Sequence, residues 1–394
     1  MPRLFSYIIS CFFMVILLTF SIATFASSER NISEVENRTL AKKPKISLEE
    51  IRSGNFSKQL EVYFSDQLFK RDMLIKAYTS LQIKVGKTIV NDVIIGEDNW
   101  LMETPTVSTN KKSIDIAINS MNNLSTHTNG NEVLYYLALV PHKKNILAYK
   151  YPSFLGEHTG VDNHKYFVNK LNKKWNVINI YDQFVNKFTN DEIEKMYFKT
   201  DHHWNAEGAY QAFQIMIREM TKNGLINNRS NLSNFSYDFE CNDLDFIGSY
   251  SRKIFNMIKS DEELTCRYTP SNFTDLIYFE SVGRKKEVIN EIEKVFGTGL
   301  KNQTLTYAGL FSSDYPELKF KYDNVSDVNL LILKDSYANP MIPSLAQYFS
   351  ETYVLDLRHY KEMNVYQYIK EKEIDAVLVL YHDGNISGDM YNFE

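Results

Sequence analysis

The sequence predicts an α/β protein: a parallel sheet flanked by helices, with an inserted subdomain and an N-terminal membrane anchor or signal. Three observations predict it. From Val93 onward, short apolar runs alternate with helical stretches. The runs are almost continuously apolar, as in strands buried on both faces. Leu4–Phe25 forms 22 uncharged, mostly apolar positions behind Arg3.

The N-terminal run is long enough to span a bilayer, which takes about 20 apolar residues. Thr24-Phe25-Ala26 also suits signal peptidase. Arg3 precedes the run, and Glu29, Glu34 and Glu36 follow it. The basic end stays in the cytoplasm, so the remainder is expected to be extracytoplasmic, either anchored or secreted. Cys11 lies inside the run; Cys241 and Cys266 remain as a pair that an oxidising compartment can join.

Residues 1–26 are therefore read as signal or anchor, and 27–90 as a helical arm. In that arm Ser47-Leu48-Glu49-Glu50 reads as a capping box. Phe56, Leu60, Tyr63 and Phe64, then Leu74, Tyr78 and Leu81, recur at helical spacing. Residues 91–222 and 328–394 carry the α/β pattern. The predicted strands are Val133–Val140, Val177–Tyr181, Leu330–Leu333, Tyr353–Leu357 and Ile374–Leu380. The predicted helices are Ser113–Leu124, Lys165–Leu171, Ala206–Lys222, Pro343–Phe349 and Met363–Lys370. Residues 223–327 are polar and aromatic, with strand-like pieces such as Thr304–Leu310, and read as an insertion over the sheet.

Composition narrows the function. With 44% hydrophobic and 24% charged residues the chain is globular. The net charge of −5 lacks a basic stripe and speaks against nucleic acid as a partner. Among the 394 residues, 15 glycines and 9 prolines are too few for a collagen-like or linker-rich chain.

Two segments carry candidate chemistry. The first, Tyr197 to Gly208, holds Asp201, His202, His203 and Trp204, then enters a helix with Asn205 as N-cap. If it is extended, Asp201 and His203 face one cavity and His202 turns away. A carboxylate beside an imidazole fixes its tautomer and stabilises the imidazolium that forms on proton transfer. In the second segment, a buried strand ends at Lys334 and a helix begins near Pro340 or Pro343. Ser336 then sits in a strand-to-helix turn, where its hydroxyl points outward near backbone N–H groups. Serine needs a base, which His203 supplies if the strand ends share one sheet edge.

Asp201-His202-His203-Trp204, followed by Lys334-Asp335-Ser336-Tyr337-Ala338-Asn339, resembles the DHHW protein family. That family is similar to the SGNH-hydrolase-like alginate O-acetyltransferases. Glu36-Asn37-Arg38, Ile95 to Leu101, Phe246-Ile247-Gly248-Ser249 and Asp356 to Tyr360 also match, so the likeness spans most of the chain after the anchor. It implies an SGNH-like fold with permuted motif order and a triad of Asp201, His203 and Ser336. One departure is Lys334, where SGNH enzymes carry glycine before the Asp-Ser pair. The resemblance implies an acetyltransferase or esterase acting on a cell-surface polysaccharide or cell-wall glycan. It also implies a membrane-bound O-acyltransferase as acetyl donor, and no cofactor or metal.

Trp204 and Tyr337 are candidates for stacking on a sugar, Asn339 or Gly248 for an oxyanion hole, and Arg358 with His359 for an anionic sugar. Two other functions compete. Lys334 motivates a catalytically degenerate glycan-binding or assembly module. Asp-His-His motivates a metal-dependent phosphoesterase, which needs several further Asp or His ligands at defined positions.

Overall fold

The computed structural model describes residues 2–33, 38–126, 133–226, 237–242, 244–259, 263, 265–270, 276–296, 305–323 and 326–394. Glu36 and Asn37 of the matching pieces lie outside them. The chain forms two compact units, residues 1–92 with 252–257, and residues 93–251 with 258–394.

The smaller unit begins with the helix Pro2–Ala26. Leu4–Ala26 is long and apolar enough to cross a membrane by length and composition. The helix Leu48–Arg52 is capped by Ser47, whose Oγ accepts the Glu50 N–H at 3.2 Å. The helices Asn55–Gln67 and Arg71–Lys84 follow. Asp66 anchors the extended segment before them. It accepts from the Arg38 guanidinium at 2.6 and 2.9 Å and from the Ala41 N–H at 2.8 Å. The Arg38 hydrogen bonds hold its carboxyl down, at about 2.

The larger unit is built on one sheet. Its strands are β1 (Leu134–Val140), β2 (Trp175–Ile178), β3 (Leu276–Val282), β4 (Val288–Ile289), β5 (Glu317–Tyr322), β6 (Asn329–Lys334), β7 (Glu351–Leu355) and β8 (Ala376–His382). They lie in the order β4-β3-β5-β7-β6-β8-β1-β2. The block β7-β6-β8-β1-β2 is parallel throughout, with Leu330 opposite Thr352 and Ala376, and Ala376 opposite Leu134. Beyond β7 each pairing is antiparallel: β5 with β7, β3 with β5, and β4 with β3.

Period-two alternation divides the core between the two faces. Tyr136, Ala138, Leu330, Ile332, Leu378 and Leu380 point to one side, against Phe213, Met216 and Met220 of the helix Ala206–Lys222. Tyr135, Leu137, Leu331, Leu333, Val377 and Val379 point to the other, against Ile114, Met121 and Tyr368. Both faces are covered, which explains the unbroken apolar runs.

Three expectations need correction. The segment 223–327 is not simply laid over the sheet, because β3, β4 and β5 extend the sheet itself. Their alternating burial, as in Glu317–Tyr322, is that of antiparallel strands with one wetter face. The strand expected at Val177–Tyr181 stops at Ile178, because Asn179 caps the helix Ile180–Lys187 by accepting the Asp182 N–H at 3.0 Å. Within the strand-like piece Thr304–Leu310, Thr304 lies outside the described residues. Tyr307–Phe311 is a helix capped by Thr306. Cys241 and Cys266, the pair that the sequence left available for joining, are disulfide-bonded across the ribbon Tyr237–Asn242/Thr265–Pro270.

Candidate active site

The carboxyl ends of β1, β6 and β8 share one sheet edge, where ligands of open α/β sheets bind. At the end of β6 the Asp335 carboxylate accepts the N–H of Tyr337 at 2.9 Å and of His382 at 2.7 Å. Those bonds turn the chain into a 3-10 helix, Ser336–Ala338, and fasten it to the end of β8. Ser336 opens that turn and stays half-buried, while its neighbours are buried.

Asp201 and His203 come from a tight loop between Met196 and Asn205. Phe198 N–H donates to the His203 carbonyl at 3.2 Å and Asn205 N–H to Met196 at 2.9 Å. Asn205 then caps the next helix through the Gly208 N–H at 3.2 Å. Gly208 is required at this crossing, since a Cβ there would lie 2.5 Å from the Met196 carbonyl oxygen.

The two segments meet, though 133 residues separate them. His203 Nε2 lies 2.8 Å from Ser336 Oγ, and His203 Nδ1 lies 2.7 Å from Asp201 Oδ1. Asp201 Oδ2 accepts the Ser249 N–H at 2.6 Å. Gly248 makes that approach feasible, because a Cβ would sit 2.1 Å from the Thr200 carbonyl oxygen. This close packing against the loop is what the structure shows of Gly248.

Lys143, just past the end of β1, is buried beneath the loop. Its ammonium donates to the carbonyls of Phe198 at 3.0 Å, Lys199 at 3.1 Å and Asp201. Burial pushes it down, against the pull of Asp201, Glu263 and Glu103. The Tyr337 hydroxyl donates to the His202 carbonyl, and Trp204 Nε1 donates to the Tyr337 carbonyl at 2.9 Å. Each loop is thus tied to the other.

Burial dominates the electrostatics. It pushes the Asp201 carboxyl up, but His202, His203 and the Ser249 N–H outweigh it and hold the group well below its ordinary range. Burial depresses the His203 imidazole against the Asp201 hydrogen bond. Burial and the neighbouring His203 bring His202 down to about 4. At neutral pH the pair therefore comprises an ionised carboxylate and a neutral imidazole.

The structure brings Asp201, His203 and Ser336 together and redistributes the other candidates. His202 does not turn away. The chain bends at 201–203, and its ring centroid lies 3.7 Å from that of His203. Trp204 and Tyr337 are fully buried, so neither presents a face to a sugar. Asn339 spends its amide on Lys334 Nζ, the Ser312 carbonyl and Asp314. Its amide is therefore committed away from an oxyanion and from substrate. Arg358 forks onto Asp356 at 2.6 and 2.8 Å and reaches Asp314 at 3.0 Å, and His359 pairs with Arg284. Those ion pairs already neutralise the guanidinium. Lys334, at the position where glycine was expected, is 1% exposed, with its ammonium held by Asp314, Asn339 and Asp356.

Sequence reasoning missed Lys143 as a clamp, the Ser249 N–H and Tyr307. The Lys143 ammonium was detectable only as a cation beside a strand end. The other two act through tertiary contacts without a local pattern. Asp201, His202 and His203 offer metal-ligand atoms within 4.8 Å of one another. Those atoms are engaged with each other, with Ser336 and with the Ser249 hydroxyl.

Fold and site together define an SGNH hydrolase-like protein of permuted order, with the histidine ahead of the serine. A family model, "SGNH hydrolase-like domain, acetyltransferase AlgX", matches residues 93–235. PatB1 of Bacillus cereus, solved with a sulfonyl adduct, is 34% identical over 77% of this chain and 99% of its own, with a TM-score of 0.70. Without the adduct the values are 33%, 77%, 99% and 0.71. A DHHW family protein from Eubacterium siraeum shares the fold at 21% identity, over 77% of this chain and 94% of its own, with a TM-score of 0.56. No curated protein matches the chain significantly. The chain belongs to the SGNH hydrolase-like acetyltransferase family that includes PatB1.

Proposed function

We propose that the protein is an extracytoplasmic, serine-dependent acetyltransferase or esterase acting on a cell-surface or secreted polysaccharide. The carrying observation is the continuous line from Asp201 Oδ1 through the His203 ring to Ser336 Oγ, at 2.7 and 2.8 Å. Ser336 Oγ attacks the acyl carbonyl carbon as its proton passes to His203 Nε2. The imidazolium then protonates the leaving oxygen, giving an acyl-serine. A sugar hydroxyl or water next gives its proton to His203, attacks the ester and releases Ser336.

The apolar helix Leu4–Ala26 and the Cys241–Cys266 disulfide support a site beyond the membrane in an oxidising compartment. Membership in an acetyltransferase family supports acetyl as the group moved, with a membrane-bound O-acyltransferase as its supplier. PatB1 is recorded with a sulfonyl adduct, and sulfonylation is a reaction of activated hydroxyls.

The test treats the protein with a sulfonyl fluoride and with a chromogenic acetyl ester, with and without an oligosaccharide acceptor. Wild type is expected to release the chromophore, to label at Ser336 and to give acetylated oligosaccharide by mass spectrometry. Ser336→Ala, folded by circular dichroism, is expected to do none of these. Undiminished turnover in Ser336→Ala overturns the serine mechanism. Hydrolysis without acetylated sugar assigns the esterase.

A further inference from the structure

Tyr307 belongs to a segment in which the sequence indicated no chemistry. It opens the short helix Tyr307–Phe311 and is 5% exposed. Its ring lies flat on the His203 imidazole, with centroids 3.5 Å apart and planes 4° from parallel. Its hydroxyl donates to the Ser336 carbonyl at 3.0 Å. One side chain therefore touches both the base and the residue that carries the nucleophile.

The geometry of His203 shows why a ring contact matters. Its hydrogen bonds to Asp201 and Ser336 run through Nδ1 and Nε2. Two bonds at two ring atoms define an axis, and neither resists rocking of the ring about that axis. Packing against the faces does resist it. Tyr307 and His202 both lie within 3.7 Å of the same ring centroid, too close to share one face. They therefore cover opposite faces. The Tyr307 face is the parallel one, and an aromatic face also attracts the cation that His203 becomes.

The Tyr307 ring is itself held. Phe311 meets it edge-on at 5.0 Å, and Phe198 stands perpendicular at 6.5 Å. Burial keeps its phenol well above the ordinary range, so the hydroxyl stays protonated and can donate.

We infer that Tyr307 is a positioning residue of the reaction, clamping the plane of the His203 imidazole with its ring and the Ser336 carbonyl with its hydroxyl. This rests on the serine mechanism proposed above. Two substitutions separate the functions: Tyr307→Phe keeps the face and loses the donor, and Tyr307→Leu loses both.

On a chromogenic acetyl ester, Tyr307→Phe is expected to lower kcat by up to about tenfold, the worth of one hydrogen bond. Tyr307→Leu is expected to lose roughly another tenfold, the worth of an aromatic pair. KM for the small ester should stay within about twofold in both, because the phenol is buried and positions only the base and nucleophile. Proton NMR gives a readout that mere stability cannot mimic. The His203 ring protons should be displaced upfield by the Tyr307 ring current in wild type and Tyr307→Phe, and return downfield in Tyr307→Leu.

An unshifted His203 in wild type overturns the inference, as does kcat within twofold of wild type in folded Tyr307→Leu. If Tyr307→Leu does not fold, the wild-type shift and the kcat of Tyr307→Phe decide. An unchanged kcat in Tyr307→Phe then overturns the carbonyl clamp. Wild type that neither turns over the ester nor labels at Ser336 removes the serine mechanism, and this inference falls with it. An active wild type with a dead Ser336→Ala and an unimpaired Tyr307→Leu removes this inference alone.

Discussion

The backbone N–H of Ser249 donates to Asp201 Oδ2 at 2.6 Å, which leaves Oδ1 to face His203. The carboxylate is thus aimed from behind by a main-chain group. Asp201→Asn keeps the shape of the side chain but puts an amide where an acceptor is needed. Either the N–H of Ser249 or the imidazole must then face a donor. We expect kcat for ester hydrolysis to fall roughly a thousandfold or more, with KM little changed and the fold retained by circular dichroism.

Gly248→Ala reaches the same carboxylate indirectly. The added Cβ would stand 2.1 Å from a backbone oxygen of Thr200, which cannot swing aside as a side chain can. The segment must retreat and take the Ser249 N–H with it. Thermal denaturation should show a loss of about 1–3 kcal/mol, together with reduced kcat. A variant as stable and active as wild type would refute this account of the crossing.

Lys143→Met tests the clamp beneath the loop. The substitution keeps much of the volume but leaves the carbonyls of Phe198, Lys199 and Asp201 without their shared donor. Each unsatisfied buried carbonyl costs about 1–3 kcal/mol, partly relieved by relaxation. A loss of about 3 kcal/mol is expected in denaturant titration, and a value below about 1 kcal/mol would contradict the clamp.

The pH dependence follows from the depressed imidazoles. His203 must be neutral to accept a proton, and burial holds it below the ordinary 6.5. The value of kcat/KM should therefore rise with pH, with a one-proton midpoint below 6.5, and be level above it. Stability runs the same way. His142, His202, His203 and His382 are all lowered, chiefly by burial. The unfolded chain binds more protons at these imidazoles between those values and 6.5, so their contribution to stability is full above 6.5 and is lost as pH falls through that window. Acid titration of unfolding checks the sign, and a gain of stability on acidification from 7 to 5 would contradict it.

The parts of the fold that were legible in the sequence are those whose pattern is local. β1, β6 and β8 read as strands because both of their faces are covered, and the helix Ala206–Lys222 because Asn205 caps it. The carboxylate, imidazole and hydroxyl were legible as two motifs, one of them at a strand end. β3 and β5 were not, because antiparallel strands with one wetter face interleave polar and aromatic residues. Trp204 and Tyr337 look like sugar platforms in sequence. Their polar atoms instead join the two motif loops, which only the folded contact reveals.

The Asp201 carboxylate and the His203 imidazole ride on one short loop, two residues apart, while the Ser336 hydroxyl follows a strand end locked between β7 and β8. A small displacement of that loop carries carboxylate and ring together and spares their mutual distance. The gap that opens first is the one between ring and hydroxyl. Loosening of this site by heat or distant substitution should therefore silence the proposed proton relay while the carboxylate–imidazole pair survives intact.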